Sequence, residues 1–406
     1  MKNLKEIKER DKVSVTEQTK RIHIGGVIKD LPVYRISIDE LFYNDQNDRI
    51  ASQISEHIDK NKLEKFEIDF ENIEEYNNLV AEFIKEANLP AFEKTKNNIK
   101  KLGQLEAGVV LRDGRIIDGN RRFTCLRELY YKEKLENFKY FNAVMLDGEE
   151  YSAKAIKMLE LELQHGHEDK VGYDIYNRCA GIYRDLIKEN HLFTIEEYAT
   201  TTDERVQDVE KLVEKTKLFM EFLEYANSVE KFYIARELEI DGPISELISQ
   251  KRNQSDENWN KLKIICFDNI LLKTEKDITR FVRDIKKYVK DDELNNYYEE
   301  HKVVSKRVNT ELENMENVTS EKIKAKIRGN DELKSVSKNI FSKYTDKGKI
   351  REEKEQPIKL LEKIVTILDE VDVEAVVRMG EKDKERFSNN LNEVISKINN
   401  IEGKLM

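Results

Sequence analysis

109-VVLRDGRIIDGNRRFTCLREL-129 holds two apolar runs, two Asp-Gly pairs and two adjacent arginines that open a helical pattern. Val109 to Leu111 and Arg115 to Ile117 flank Asp113-Gly114, a strong hairpin signal, because both central residues of a type I′ turn need positive φ. Asp118-Gly119 then turns the chain into 120-NRRFTCLRELYYKEK-134, where Phe123, Leu126, Leu129 and Tyr130 mark one helical face. Strand, glycine turn and helix start stand in sequence. Arg121 and Arg122 thus sit at a helix N-terminus, whose dipole repels cations. A bound anion removes that conflict: Gly119 admits a close approach, the first-turn N–H groups point outward, and a guanidinium adds charge-assisted bonds. The competing reading makes both arginines surface residues, one of them paired with Asp113, Asp118 or Glu128.

Upstream, 22-IHIGGVIKDLPVYRISIDEL-41 alternates β-branched and polar residues around Gly25-Gly26 and predicts short strands. Residues 1–20 are polar and predict a frayed arm or a short helix. The run 42-FYNDQNDRI-50 predicts a loop, and 51–61, 74–87 and 92–107 predict helices, the last stopping at Gly103. Downstream, 141-FNAVML-146 predicts one more strand, and nothing after residue 150 reads as strand. Within 193–219 the spacing predicts a helix-turn-helix: Thr194 opens it, Ala199 faces inward, Asp203 takes the turn, and Val206, Val209 and Leu212 face the core. Residues 227–406 continue as helices, and 358–371 with 387–398 predict an amphipathic hairpin. The fold class is therefore α+β: an α/β domain over 1–150, a helical, helix-turn-helix-like part over 151–230, and a helical region over 231–406.

The 406 residues are 39% hydrophobic and 37% charged, which predicts a globular, well-solvated chain. A net charge of −10 argues against a general basic coat for nucleic acid. Cys125, Cys179 and Cys266 form no metal-spaced pair, so the expectation is a reducing compartment, the cytoplasm, and no structural metal. Cys125, among apolar neighbours in a helix, reads as a core thiol. No run is apolar enough for a membrane helix, and MKNLKEIKERDK lacks the apolar stretch of a signal peptide.

The string 115-RIIDGNRRFTCLREL-129 resembles the arginine box of the ParB/sulfiredoxin superfamily, in which an apolar strand, a Gly turn and Arg-Arg or His-Arg precede a helix. Two more runs stand in the family's order. 36-ISIDELFYNDQNDRI-50 is similar to its Asn/Gln/Arg box, and 95-TKNNIKKLGQLEAGVVL-111 to its helix, Gly and apolar-strand run. The resemblance covers roughly 33–50 and 92–220, and implies a ParB-like nucleotide-binding domain, with an insertion at about 51–91, followed by a degenerate helix-turn-helix. It further implies that Gly119, Asn120, Arg121 and Arg122 hold phosphate while Arg49, Asn47 and Gln46 line the same pocket. The implied ligand is a nucleoside triphosphate, CTP with Mg²⁺, whose occupancy gates a clamp on DNA. Partition proteins of the family carry Glu where this chain has Asn120. Where they carry Glu-Asn-x-x-Arg, this chain has Glu162, Gln164 and His165, which makes Glu162 and Gln164 the candidates for a metal- or phosphate-facing loop.

The second helix of the helix-turn-helix offers Arg205, Gln207 and Lys211 to DNA, beside Glu204, Asp208, Glu210 and Glu214. The most basic window is 301–350, with 12 Lys and Arg against 7 Asp and Glu, a second candidate phosphate contact. The run 165-HGHED-169 reads as a metal or acid–base site, or as a loop closing over phosphate. No nucleophile elbow, HExxH or Walker lysine is present. Three functions fit these residues. The first is a nucleotide-gated, DNA-binding homodimer of a plasmid, phage or defence system, with slow NTP hydrolysis as its enzymology. The second is a phosphotransferase or nuclease with Asp118, or a carboxylate of 168-EDK-170, as base. The third is a non-enzymatic module that binds a partner protein.

Overall fold

The computed structural model describes residues 3–7, 9, 11–165 and 174–405; residues 166–169 of the HGHED run and 168-EDK-170 lie outside them. Six strands make one mixed sheet: β1 (Val13–Ile24), β2 (Val27–Ser37), β3 (Phe42–Tyr43), β4 (Gly108–Leu111), β5 (Arg115–Asp118) and β6 (Tyr140–Leu146). Their order across it is β1-β2-β6-β4-β5-β3. The expected arm or short helix at 1–20 holds a short helical turn at Leu4–Glu6, but its second part, 13–20, is strand. Its strand shows solvent a charged face, Glu17, Arg21 and His23, and only Ile22 and Ile24 are buried, so the apolar signal is short. Gly25 and Gly26 close the β1–β2 hairpin with φ of 61° and 76°, which makes them the two left-handed positions of its two-residue turn. At Asp113-Gly114 only Gly114 is left-handed, with φ 102°, so the expected type I′ geometry gives way to a wider turn and a bulge between β4 and β5.

Alternation along β4 sorts its side chains between two cores. Val110 joins Ile36, Ile116 and Phe141 under α2 (Ile73–Ala87), α3 (Leu89–Leu102) and α4 (Asn120–Arg127). Val109 joins Ile22, Ile117 and Val144 on the other face, under α5 (Ala153–His165). The remaining helix of this half, α1 (Ala51–Asn61), precedes α2.

Among the described residues helices alone follow: α6 (Ile175–Ile182), α7 (Ile195–Thr202), α8 (Val206–Tyr225), α9 (Phe232–Leu238), α10 (Asp241–Ile248), α11 (Asp256–Leu272), α12 (Ile278–Tyr288) and α13 (Asp291–Glu313). The chain ends with α14 (Ser320–Lys322), α15 (Asp331–Asp369), α16 (Val373–Arg378) and α17 (Glu381–Leu405). This is an α+β fold. Thr194 caps α7 with Glu197 in a reciprocal capping box, and Asp203 makes the left-handed turn into α8. Ala199 and Val209 are buried as expected, whereas Val206 is exposed at the first turn of α8. The N-terminal half of α8 packs in a small core with Phe193 and Tyr198; its C-terminal half, through Phe219 and Phe222, belongs to the large helical core that runs to Tyr344. No described helix is long and apolar enough to cross a membrane.

Candidate functional site

β3 and β5 run parallel, Phe42 opposite Arg115 and Tyr43 opposite Ile116, so both chains leave the sheet at the same edge. Crevices outside the carboxyl ends of strands are where open α/β sheets bind ligands. Here the crevice is a cavity of about 260 Å³. From β3 the chain contributes Asn47 and Arg49; from β5, Asp118, Gly119 and the first turn of α4. The end of α2 adds Ile84, Ala87 and Asn88, α3 adds Thr95, and the end of α5 adds Gln164.

Gly119 sits at φ 98° with its Cα against the Phe141 ring, where a Cβ would meet the ring at 2.9 Å. Only glycine fits both the angle and the space. No side chain among the described residues caps α4, so the N–H groups of Asn120, Arg121 and Arg122 are left open at the cavity.

The adjacent arginines have separate jobs. Arg122 donates to Asp118 at 2.7 Å and to Glu106 at 2.6 Å, which is the ion-pair reading of the arginine box. Arg121 has no carboxylate partner among the described residues. Burial, and then the facing Arg49 guanidinium, pushes its pKa below the ordinary arginine value. Two guanidiniums therefore line the cavity at the start of α4, and the Arg49 charge raises the cost of charging Arg121. An anion between them relieves that cost.

The other predicted residues divide by position. Asn47 is buried; its Oδ1 accepts from the Arg49 N–H at 3.0 Å and shapes the turn that carries Arg49. Gln46, expected beside it, does not line the cavity: it is exposed, because the tight turn points successive residues apart. Gln164 lines the cavity and Glu162 does not, since residues two apart on a helix face nearly opposite ways; Glu162 instead pairs with His23 of β1 at 3.2 Å. Asn120 Oδ1 and Gln164 Oε1 are both buried without a hydrogen-bond partner among the described residues.

Sequence reasoning missed the support behind this wall. Asp48, 1% exposed, accepts from Lys157 at 2.6 Å and from Arg184. Lys157 also reaches Glu160 at 3.4 Å, and Glu160 accepts from Gln164 at 3.0 Å. Burial, opposed by Lys157, pushes the Glu160 pKa above the ordinary carboxylate value. Gly181 of α6 makes room for Asp48, whose carboxyl group a Cβ there would meet at 3.2 Å. Lys20 was missed too: half-buried beside Asp118 at 3.8 Å, it donates to the Ala107 carbonyl.

Arg205, Gln207 and Lys211 stand exposed at the start of α8, but Asp208 lies between the two cations, 2.7 Å from Arg205 and 3.3 Å from Lys211. In the 301–350 window, carboxylates from outside it neutralise much of the excess: Glu237 holds Lys324, Glu299 holds Lys302 and Glu300 holds Lys343. Cys125 is buried, its pKa pushed up to about 12 by desolvation, the environment of an inert core thiol. Among the described residues, no three His, Cys, Asp or Glu side chains converge on a metal site. Comparisons with protein-family models, curated proteins and solved structures found no match.

Proposed function

We propose that this cavity holds the phosphates of a nucleoside triphosphate, and that the chain is a ParB-like nucleotide-binding protein acting on DNA, with a second copy of itself as partner. One observation carries the reading: Arg49 and Arg121 face each other at the uncapped start of α4, with no carboxylate partner among the described residues. A triphosphate supplies several anionic oxygens to such a site. CTP is favoured by the resemblance of the arginine box alone. The residues also fit a magnesium ion carried in by the nucleotide, because Asn120 Oδ1 and Gln164 Oε1 are buried oxygens without partners among the described residues, and Mg²⁺ takes oxygen ligands.

Phosphotransfer is the weaker reading. Asp118, the candidate base among the described residues, accepts from Arg122 and lies beside Lys20, which hold it as an ion-pair partner. Asp208 already holds Arg205 and Lys211, so α8 offers DNA little free positive charge, and the DNA part of the reading rests on the resemblance.

Calorimetric titration with CTP, ATP, GTP and ADP, with and without magnesium, tests the proposal. Binding of one triphosphate that Arg121→Ala abolishes supports it. Failure of all four to bind, or unchanged affinity in Arg121→Ala, overturns it.

A further inference from the structure

A second cavity lies behind the turn that carries Arg49. It holds about 590 Å³, and Asn47 lines it as well as the first. Both halves of the chain build its walls: Ile54 and Ile58 come from α1, Tyr183 and Arg184 follow α6, and Val229 and Phe232 lead into α9. Two of its apolar side chains are uncovered, Leu63 at 42% and Val229 at 57% exposure. Apolar groups left open around a concavity mark a place where a ligand covers them.

Asp45 supplies the charge. It lines the cavity from the turn after β3, and its Oδ1 is buried with no hydrogen-bond partner among the described residues. Such an oxygen has given up water and gained no donor in return. Burial pushes the Asp45 pKa above the ordinary carboxylate value, against the pull of Arg115 and Arg184. The cations of the cavity are committed elsewhere: Arg184 to Asp48, Lys188 to Glu230 at 2.9 Å, and Lys231 to Asp59 at 2.7 Å. Lys62, the fourth, is exposed beyond the end of α1, and exposed Glu64 stands near it in the lining.

We propose that this second cavity binds a small organic cation, a protonated amine on a short aliphatic body, with the ammonium at Asp45 and the carbon chain against Ile54, Ile58 and Phe232. An ammonium donates to the free oxygen and favours the charged carboxylate in its buried place. An anion would face Asp45 and Glu64, and a hydrocarbon without a donor would leave Oδ1 unpaired. The rings of Tyr183 and Phe232, 6.1 Å apart, add aromatic groups whose faces attract cations. Arg49 and Arg121 line the first cavity and not this one, so the inference is independent of the phosphate reading.

Hexylamine is the probe, with hexanol and hexanoate as its neutral and anionic counterparts, and saturation-transfer NMR on the full chain reads binding. Hexylamine should bind, and the other two should bind about tenfold more weakly or worse. Asp45→Asn should weaken hexylamine about tenfold or more while the thermal midpoint stays in place or rises, because a buried charge is removed and no partner is lost. Val229→Arg, at an exposed position, should weaken it by adding a cation beside the ligand. Arg121→Ala should leave hexylamine binding as in the wild type, so that this inference and the nucleotide reading fail separately. Absence of hexylamine binding overturns the proposal, as does equal binding of hexanol or undiminished binding in Asp45→Asn. Loss of hexylamine binding in Arg121→Ala would place the amine in the first cavity and overturn it too. A large fall in the Asp45→Asn midpoint would make Asp45 a group kept for the fold and overturn its part in the site.

Discussion

Two regions of this molecule display cations, and they differ in what those cations touch. At the cavity, Arg121 and Arg49 face each other with no carboxylate partner among the described residues. Along α8, Arg205 and Lys211 share Asp208, and in 301–350 the lysines meet glutamates of neighbouring helices. The difference teaches that the charge of a sequence window is a poor measure of its hold on an anion. A cation already satisfied by a carboxylate gains little from phosphate, whereas one held next to another cation gains much.

The comparison breaks first if its support is not what holds Arg49 in place. Asp48→Ala removes the nearest acceptor of the buried Lys157, which keeps Glu160 at 3.4 Å and Asp185 at 4.0 Å, and should cost about 1–3 kcal/mol, read as a fall in the denaturant midpoint; a shift within error would remove the network from the account. Arg121→Ala should weaken triphosphate binding about tenfold to a hundredfold, the worth of a charged hydrogen bond of about 1.5–3 kcal/mol. Arg205→Ala should leave nucleotide affinity unchanged. Arg122→Ala sharpens the contrast between the adjacent arginines: by leaving Asp118 without its guanidinium it should lower stability by about 1–3 kcal/mol in thermal unfolding, and reduce nucleotide affinity less than Arg121→Ala does.

Glu160 gives a pH signature. Its folded pKa is raised above the ordinary 4.5, so the folded state binds more protons than the unfolded chain, and the contribution present below that value is lost as pH rises through the folded pKa. Glu160→Gln should flatten that decline in thermal midpoints measured upward from pH 4.5. The smallest effect belongs to the surface cations. Lys211→Ala should change DNA affinity by about 1 kcal/mol or less, because Asp208 already holds it; a loss of several-fold more, with a shallower salt dependence, would place DNA on α8 after all.

Much of this was legible in the sequence because local rules governed it. The strand, glycine turn and helix start of 115–129 follow from spacing, and the inward Ala199 and Val209 from periodicity. The left-handed glycine at 119 was legible because a sharp turn into a helix requires one. Other features depend on packing that no window contains. β1 hid behind its charged face, Glu162 and Gln164 are separated by helix rotation alone, and the division of labour between Arg121 and Arg122 depends on Asp118 and Glu106 being in reach. Ile84, Ala87, Asn88 and Thr95 reach the cavity only because α2 and α3 fold back over the sheet. Asp48 was hidden because its partners lie more than a hundred residues away.

β3 is two residues long and lies at the edge of the sheet, so a wall built on it needs other anchors. Two asparagine side chains supply them. Asn77 of α2 accepts from the Tyr43 N–H at 3.3 Å and donates to the Leu41 carbonyl at 3.0 Å, as a neighbouring strand would. Asn177 of α6 does the same further on, donating to the Arg49 carbonyl at 2.7 Å and accepting from the Ser52 N–H at 2.8 Å. The backbone that presents Arg49 is thus stitched to the helical half, and the binding wall is completed only when both halves have folded. If the proposed anion holds Arg49, occupancy of the cavity and the docking of α6 are linked, and adding the triphosphate should slow the exchange of the Ser52 amide.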